Sequence, residues 1–130
     1  MKAIILVSAG ALLASTAAFA EGAMMNSVPS SSLTVTDWYK QDVYDQSNSK
    51  IGKIDDVFVG QNGQVNALIV GVGGILGAGE KDVAVDFTAV KQTMKDNKVY
   101  LTMNTTKDAL KSAPGFKYDS DKTAWVPDSK

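Results

Sequence analysis

The sequence predicts a mainly all-β fold: a small antiparallel barrel or strongly bent sheet of five or six short strands, with one short helix near the C-terminal end. Three observations predict it. Val83, Val85 and Phe87 alternate with Asp82, Ala84 and Asp86, and Val99, Leu101 and Met103 alternate with Tyr100, Thr102 and Asn104, the period of two that a half-buried strand requires. The segments between apolar runs are short and built from turn residues. Only one stretch carries both a helix start and a helix stop.

The first twenty residues read as an export signal rather than as part of the fold. Lys2 gives a positive start, Ala3 to Leu13 an apolar stretch, and Ala18-Phe19-Ala20 a small-x-small cleavage site before Glu21. The apolar run is short for a membrane span, and no second one follows it. The expectation is cleavage after Ala20 and a soluble protein in the bacterial periplasm; an uncleaved anchor is the competing reading. Residues 21–36, "EGAMMNSVPSSSLTVT", have serines, a proline and no sustained periodicity, and read as a linker.

The folded domain is expected over residues 37–116. Trp38 to Tyr44 is aromatic and β-branched enough for a first strand, and Asp45 to Lys50 is a polar turn. Ile51 to Val59 is a second strand whose alternation is interrupted by Asp55-Asp56. Gly60 to Gly63 is a hairpin signal, since Asn-Gly tolerates positive φ. Val65 to Val72 is nearly all apolar, as in a strand buried on both faces. The two alternating strands follow, separated by a turn at Lys95 to Lys98. Thr105 or Thr106 is placed to cap the helix, Asp108 suits its positive end, and Pro114-Gly115 stops it. Residues 117–130 form a polar tail whose pattern fits either disorder or a strand folded back on a sheet edge. A core domain of about 80 residues is near the lower limit for unaided stability, and closing the sheet would remove exposed edges.

Composition excludes much chemistry. The chain has no histidine and no cysteine, so disulfides, thiol catalysis, a serine–histidine dyad and the usual zinc or copper ligand sets are out. Every basic residue is lysine, and removal of Lys2 leaves 12 lysines against 14 acids. A net acidic chain without arginine is poorly suited to nucleic acid or anionic lipid. Carboxylate, lysine, tyrosine and serine remain.

The stretch "GVGGILGAGEKD", Gly71 to Asp82, holds five of the eleven glycines. It fails as a dinucleotide fingerprint because the third glycine would fall on Leu76. It fails as a phosphate loop because Glu80 occupies the lysine place and Asp82 that of the hydroxyl. Both motifs also lead into a helix, whereas a strand follows here. The stretch reads as a wide connection between strands, with glycines for positive φ and close backbone approach. Ile75 and Leu76 stand in its middle, either tucked into the barrel mouth or exposed as an apolar contact.

Asp55-Asp56 is the best acid pair, but strand neighbours point to opposite faces, which disfavours a carboxylate hydrolase. Asp45 to Lys50 and Asp119 to Thr123 faintly resemble calcium loops, without the loop glycine and closing glutamate; turn chemistry explains both. Trp38 and Tyr39 read as core or rim residues.

Taken as a set, several of these elements resemble the PRC-barrel family: Ile51-Gly52 followed by Asp55-Asp56-Val57; Gly63 in the hairpin; Val72-Gly73-Gly74-x-Leu76-Gly77-x-Gly79-Glu80-Lys81-Asp82-Val83; and the threonine-led helix ending Ala113-Pro114-x-Phe116. The likeness is to small exported stand-alone members. It implies a six-stranded antiparallel β-barrel with one short C-terminal helix and no catalytic centre, acting as a binding module. In relatives such a domain contacts a ribosomal protein, or caps the photosynthetic reaction centre as part of its H subunit; no proton-routing residue maps from the latter. The expectation is a non-enzymatic periplasmic protein that binds another protein or itself, with no cofactor, no metal and no nucleic acid. Ile75 and Leu76 are the candidate contacts, with Glu80 and Lys81 as rim charges. The alternative is an envelope accessory of membrane electron transport, with Asp55, Asp56 and Asp86 handling protons.

Overall fold

A computed structural model of the chain describes residues 23–30, 33–73 and 79–129. The chain divides into two compact units, Met1–Ser32 and Leu33–Lys130. In the first, residues 23–30 form no helix or strand and are exposed, Met24, Met25 and Val28 included. The signal reading, residues 1–20, lies outside the described residues.

The second unit is mainly β. Its strands are β1 (Asp42–Tyr44), β2 (Lys50–Val59), β3 (Val65–Val72), β4 (Lys81–Asp86), β5 (Val90–Lys95), β6 (Lys98–Met103), β7 (Gly115–Asp119) and β8 (Ala124–Pro127). One helix, α1 (Lys107–Ser112), lies between β6 and β7. The strands form one sheet in the order β5-β6-β1-β2-β3-β4-β7-β8. All neighbours are antiparallel except β1 and β6.

Among the described residues there are therefore eight strands with ends at β5 and β8, in a mainly β fold as expected. The strand pattern predicted five or six in a small barrel or strongly bent sheet, and the family resemblance implied a six-stranded barrel. The two additional strands come from residues 115–127. Their apolar members, Phe116, Trp125 and Val126, are too few to form a strand pattern and become half-buried only on pairing.

The first strand is shorter than its composition predicts. Residues 36–40 form a turn instead: the Val35 carbonyl accepts from the N–H groups of Trp38 and Tyr39 at 3.0 and 2.8 Å, and Thr34 Oγ1 accepts from Asp37 N at 3.1 Å. Lys40 leaves the turn with φ 71°. The Lys40 N–H then donates to the Ile54 carbonyl at 2.8 Å, which starts the pairing of β1 with β2. This turn drops Trp38 into the core, where its indole N–H donates to the Gln92 side chain and its ring lies 4.9 Å from that of Phe87.

The core lies on one face of the sheet. Val43, Ile51, Ile54, Leu68, Val70, Val72, Val83 and Leu101 are almost fully buried there, and Leu110 seals it from α1. Each such side chain contributes about 1.5–3 kcal/mol of burial. Ile69 is also fully buried but points to the opposite face, since strand neighbours alternate. Its neighbour in register is Asp56, whose Oδ2 accepts from the Trp125 indole N–H at 2.7 Å. The β7–β8 hairpin thus folds back over this second face. Only two residue pairs join β4 to β7, which leaves the hairpin free to diverge from the sheet. The nearly continuous apolar run of β3 is explained: it is covered on both sides.

Candidate functional site

Two features stand out on this frame. The first is a cluster of carboxylates at the base of the glycine loop. The register shifts between Ile54 and Asp56 on β2, a bulge that leaves Asp55 unpaired and re-aims its side chain. Asp82 on β4 lies opposite Gly71 on β3. Glu80 lies just before β4. Carboxylate oxygens of Asp55, Glu80 and Asp82 lie within 4.8 Å of one another.

Gly71 makes this convergence possible. A Cβ at that position would collide with the carboxylates of Glu80 and Asp55; with hydrogen there, both groups seat against the backbone. Asp82 Oδ1 is buried and has no hydrogen-bond partner among the described residues. Burial pushes the Asp82 carboxyl up to about 7; hydrogen bonding with Asp55 and the charges of Asp55 and Glu80 add to the rise, and Lys40 opposes it. Chemically, close carboxylates of this kind favour keeping one of them protonated, and burial selects Asp82. The same three side chains are the group among the described residues with the spacing to hold a cation.

The second feature is an apolar groove beside Trp38. Leu33, Val35, Trp38, Val57, Val65 and Phe87 line it, with Thr34 at one side, around about 80 Å³. That is room for a side chain rather than for a cofactor, whose pockets run to roughly 300–1,000 Å³. Leu33 and Val35 are 50% and 69% exposed at its rim, so apolar surface remains uncovered there.

The residues singled out from sequence are separated by the structure. Ile75 and Leu76 lie outside the described residues. Glu80 is exposed and enters the carboxylate cluster. Lys81 turns the other way: its Nζ donates to the Lys111 carbonyl at 2.6 Å, at the C-terminal end of α1, where a cation is favoured. It is a tie between β4 and α1.

Asp55 and Asp56 do not part as simple strand alternation predicts: the bulge leaves both on the face opposite the main core. Asp55 lies against Gly71 with Glu80 and Asp82. Asp56 lies opposite Ile69, where it accepts from Trp125 and, at 2.8 Å, from its neighbour Val57 N. Asp86 accepts from Thr88 N and Thr88 Oγ1, both at 3.0 Å, which holds its carboxyl below the ordinary range. The two calcium-like stretches are turns: Asp45 Oδ1 accepts from Ser47 N and Ser49 N, and Asp119 Oδ1 from Asp121 N and Lys122 N. Sequence reasoning missed the partnership of Asp55 with Asp82. The two are 27 positions apart in the chain, and only the β2–β3–β4 register with its bulge brings them together.

Compared with known protein families, residues 32–110, more than half of the chain, match the PRC-barrel domain. No curated protein matches the chain.

Proposed function

This chain belongs to the PRC-barrel family, and from that premise we propose that it is a non-enzymatic, exported module of the bacterial periplasm that binds another protein or itself. The observation that carries this reading is the apolar groove at Trp38, whose rim residues Leu33 and Val35 stay exposed. A soluble protein keeps a contiguous apolar surface of this kind for a partner's side chain. The glycine-loop residues Ile75 and Leu76 remain the second candidate contact.

The test is crosslinking of the tagged full-length protein in its native cell envelope, followed by capture. Val35→Asp and the double change Ile75→Ser with Leu76→Ser are compared with the parent. Loss of a crosslinked species with Val35→Asp alone assigns contact to the groove; loss with the double change alone assigns it to the loop. Unchanged crosslinking in both variants, each still folded, overturns the reading. Recovery of only this chain identifies self-association.

The carboxylate cluster favours a second reading, an envelope accessory of membrane electron transport resembling the H-subunit domain of the reaction centre. Asp82, titrating near pH 7 beside Asp55, is the group suited to proton exchange. Asp86 and Asp56 are engaged with Thr88 and Trp125. Co-purification with a membrane redox complex supports this reading; a purely soluble fractionation pattern removes it.

A further inference from the structure

The β7–β8 hairpin lies beyond the family domain: the match ends at residue 110, and β7 begins at Gly115. The hairpin is a unit in its own right. Its ladder pairs Phe116 with Pro127, Lys117 with Val126, Tyr118 with Trp125 and Asp119 with Ala124. Asp128 N donates to the Gly115 carbonyl at 2.9 Å and closes its base. At its tip Asp119 Oδ1 accepts from Asp121 N and Lys122 N at 2.9 and 3.3 Å. The Tyr118 ring stands edge-on to that of Trp125. None of these contacts needs the rest of the sheet.

The seat of the hairpin is made by other elements. On β4, Asp82 pairs with Phe116 and Val83 with Gly115. On β2, Asp56 Oδ2 accepts from the Trp125 indole N–H at 2.7 Å, a hydrogen bond strengthened by the carboxylate charge. On β3, Ile69 is fully buried on the same face. All three anchors are remote in sequence from the hairpin, so the hairpin of a second copy meets the same partners in the same geometry.

The connection into the hairpin is short and exposed. Helix α1 ends at Ser112 and β7 starts at Gly115, with Ala113 and Pro114 between them. Ala113 is extended, with φ −75° and ψ 160°, as the residue before a proline tends to be. Pro114 is exposed and has no N–H, so a rotation there gives up no hydrogen bond of its own, and Gly115 accepts a wide range of φ and ψ. A short hinge leaves the hairpin little freedom in closing on its own chain, a circumstance that favours exchange between copies.

We propose that the β7–β8 hairpin is an exchangeable arm, and that two copies of this chain dimerise by each seating its hairpin on the β4 edge of the other, with its Trp125 indole on the other's Asp56. The exchange is reciprocal and covers the β4 edge of both copies, so it closes at two. This contact goes beyond the reading above, because it uses neither the groove at Trp38 nor the glycine loop.

Disulfide trapping of the full-length protein tests this. The chain has no cysteine, so Asp82→Cys with Phe116→Cys introduces one pair, at a register position whose spacing suits a disulfide. Reduced protein is held at micromolar to millimolar concentration, then oxidised and separated on a denaturing gel. The expected result is a covalent dimer beside the intrachain-linked monomer, its share rising roughly tenfold or more across that range. The intrachain-linked species is expected to stay monomeric by light scattering. In the protein without the cysteines, exchange of subunits between isotope-labelled and unlabelled dimers is followed by mass spectrometry. Trp125→Phe is expected to speed it by about tenfold or more, because the arm must leave Asp56, and Val35→Asp to leave it unchanged. Intrachain linkage alone at every concentration, dimers built from intrachain-linked chains, a monomer at millimolar concentration in the cysteine-free protein, or an exchange rate unmoved by Trp125→Phe overturns the proposal. Loss of the dimer in Val35→Asp also overturns it, and assigns self-association to the groove.

Discussion

Gly52 and Gly71 lie on neighbouring strands, yet a methyl group would do different things at each. At Gly52 it would lie 2.7 Å from Val70 Cγ1 and 2.8 Å from the Gly71 carbonyl oxygen. A backbone atom inside a paired strand yields little, so Gly52→Ala is expected to destabilise the fold by about 1–3 kcal/mol, read as a lower denaturant midpoint. At Gly71 the obstructing atoms are the ends of Glu80 and Asp55, which swing into solvent. Gly71→Ala is therefore expected to leave the fold intact while dispersing the cluster. Asp82 then returns toward its ordinary range, as carboxyl NMR titration would report. The same residue sets a pH dependence. The folded Asp82 carboxyl titrates near 7 against an ordinary value of 3.8, so between those values the folded state holds the extra proton. The associated stability is full below about 3.8 and is lost as pH rises through about 7. Asp82→Asn should flatten this decline, whose size is about 1–2 kcal/mol after solvent screening. Asp86 has the opposite sign: its carboxyl is lowered by Thr88, so its contribution disappears as pH falls through the folded value.

The elements differ in how locally they are specified. Helix α1 has its start written beside it: Thr106 Oγ1 accepts from Ala109 N at 3.0 Å, and Asp108 sits in the first turn. Thr106→Ala should cost about 1 kcal/mol, measurable as a shift in thermal midpoint. These cues are contiguous in sequence, which is why the helix was legible there. The β7–β8 hairpin has no comparable local signature. It is held by a distant contact, the Trp125 indole on Asp56, and by Tyr118 set edge-on to Trp125 at 5.7 Å. Trp125→Phe keeps a ring but removes that hydrogen bond to a carboxylate. The expected loss is about 1.5–3 kcal/mol, with faster amide exchange confined to residues 115–127.

At the scale of the molecule, the sheet solves a size problem by covering β3 twice. The main core uses Leu68, Val70 and Val72, and the hairpin lies on the side to which Ile69 points. Removing residues 114–130 would uncover that side and expose the β4 edge. The expected loss is about 3 kcal/mol or more, from the burial of Ile69 and Trp125 together, seen as a lower unfolding midpoint in the truncated protein. The open ends at β5 and β8 are protected by different devices. β8 is short and ends in Pro127, which has no N–H to offer; β5 carries Lys91 and Lys95, charges that discourage unplanned strand pairing.

What the sequence determined by itself was whatever depends on neighbours in the chain. The period-two alternation at β4 and β6, the Asn-Gly turn after β2, the cap and stop of α1, and the failure of the glycine loop as a nucleotide motif all follow from local geometry and residue chemistry. The combination of glycines, acids and helix ending also carried the family, which the match over residues 32–110 bears out. Tertiary structure decided what depends on register. The bulge at Asp55 turns that side chain toward Asp82 across an intervening glycine, and the stacking of Tyr44 on Tyr100 depends on a parallel pairing between strands remote in sequence. A displacement of one residue in a strand moves a side chain to the other face. Which carboxylates meet, and which tyrosines stack, is therefore fixed only when the whole sheet is assembled.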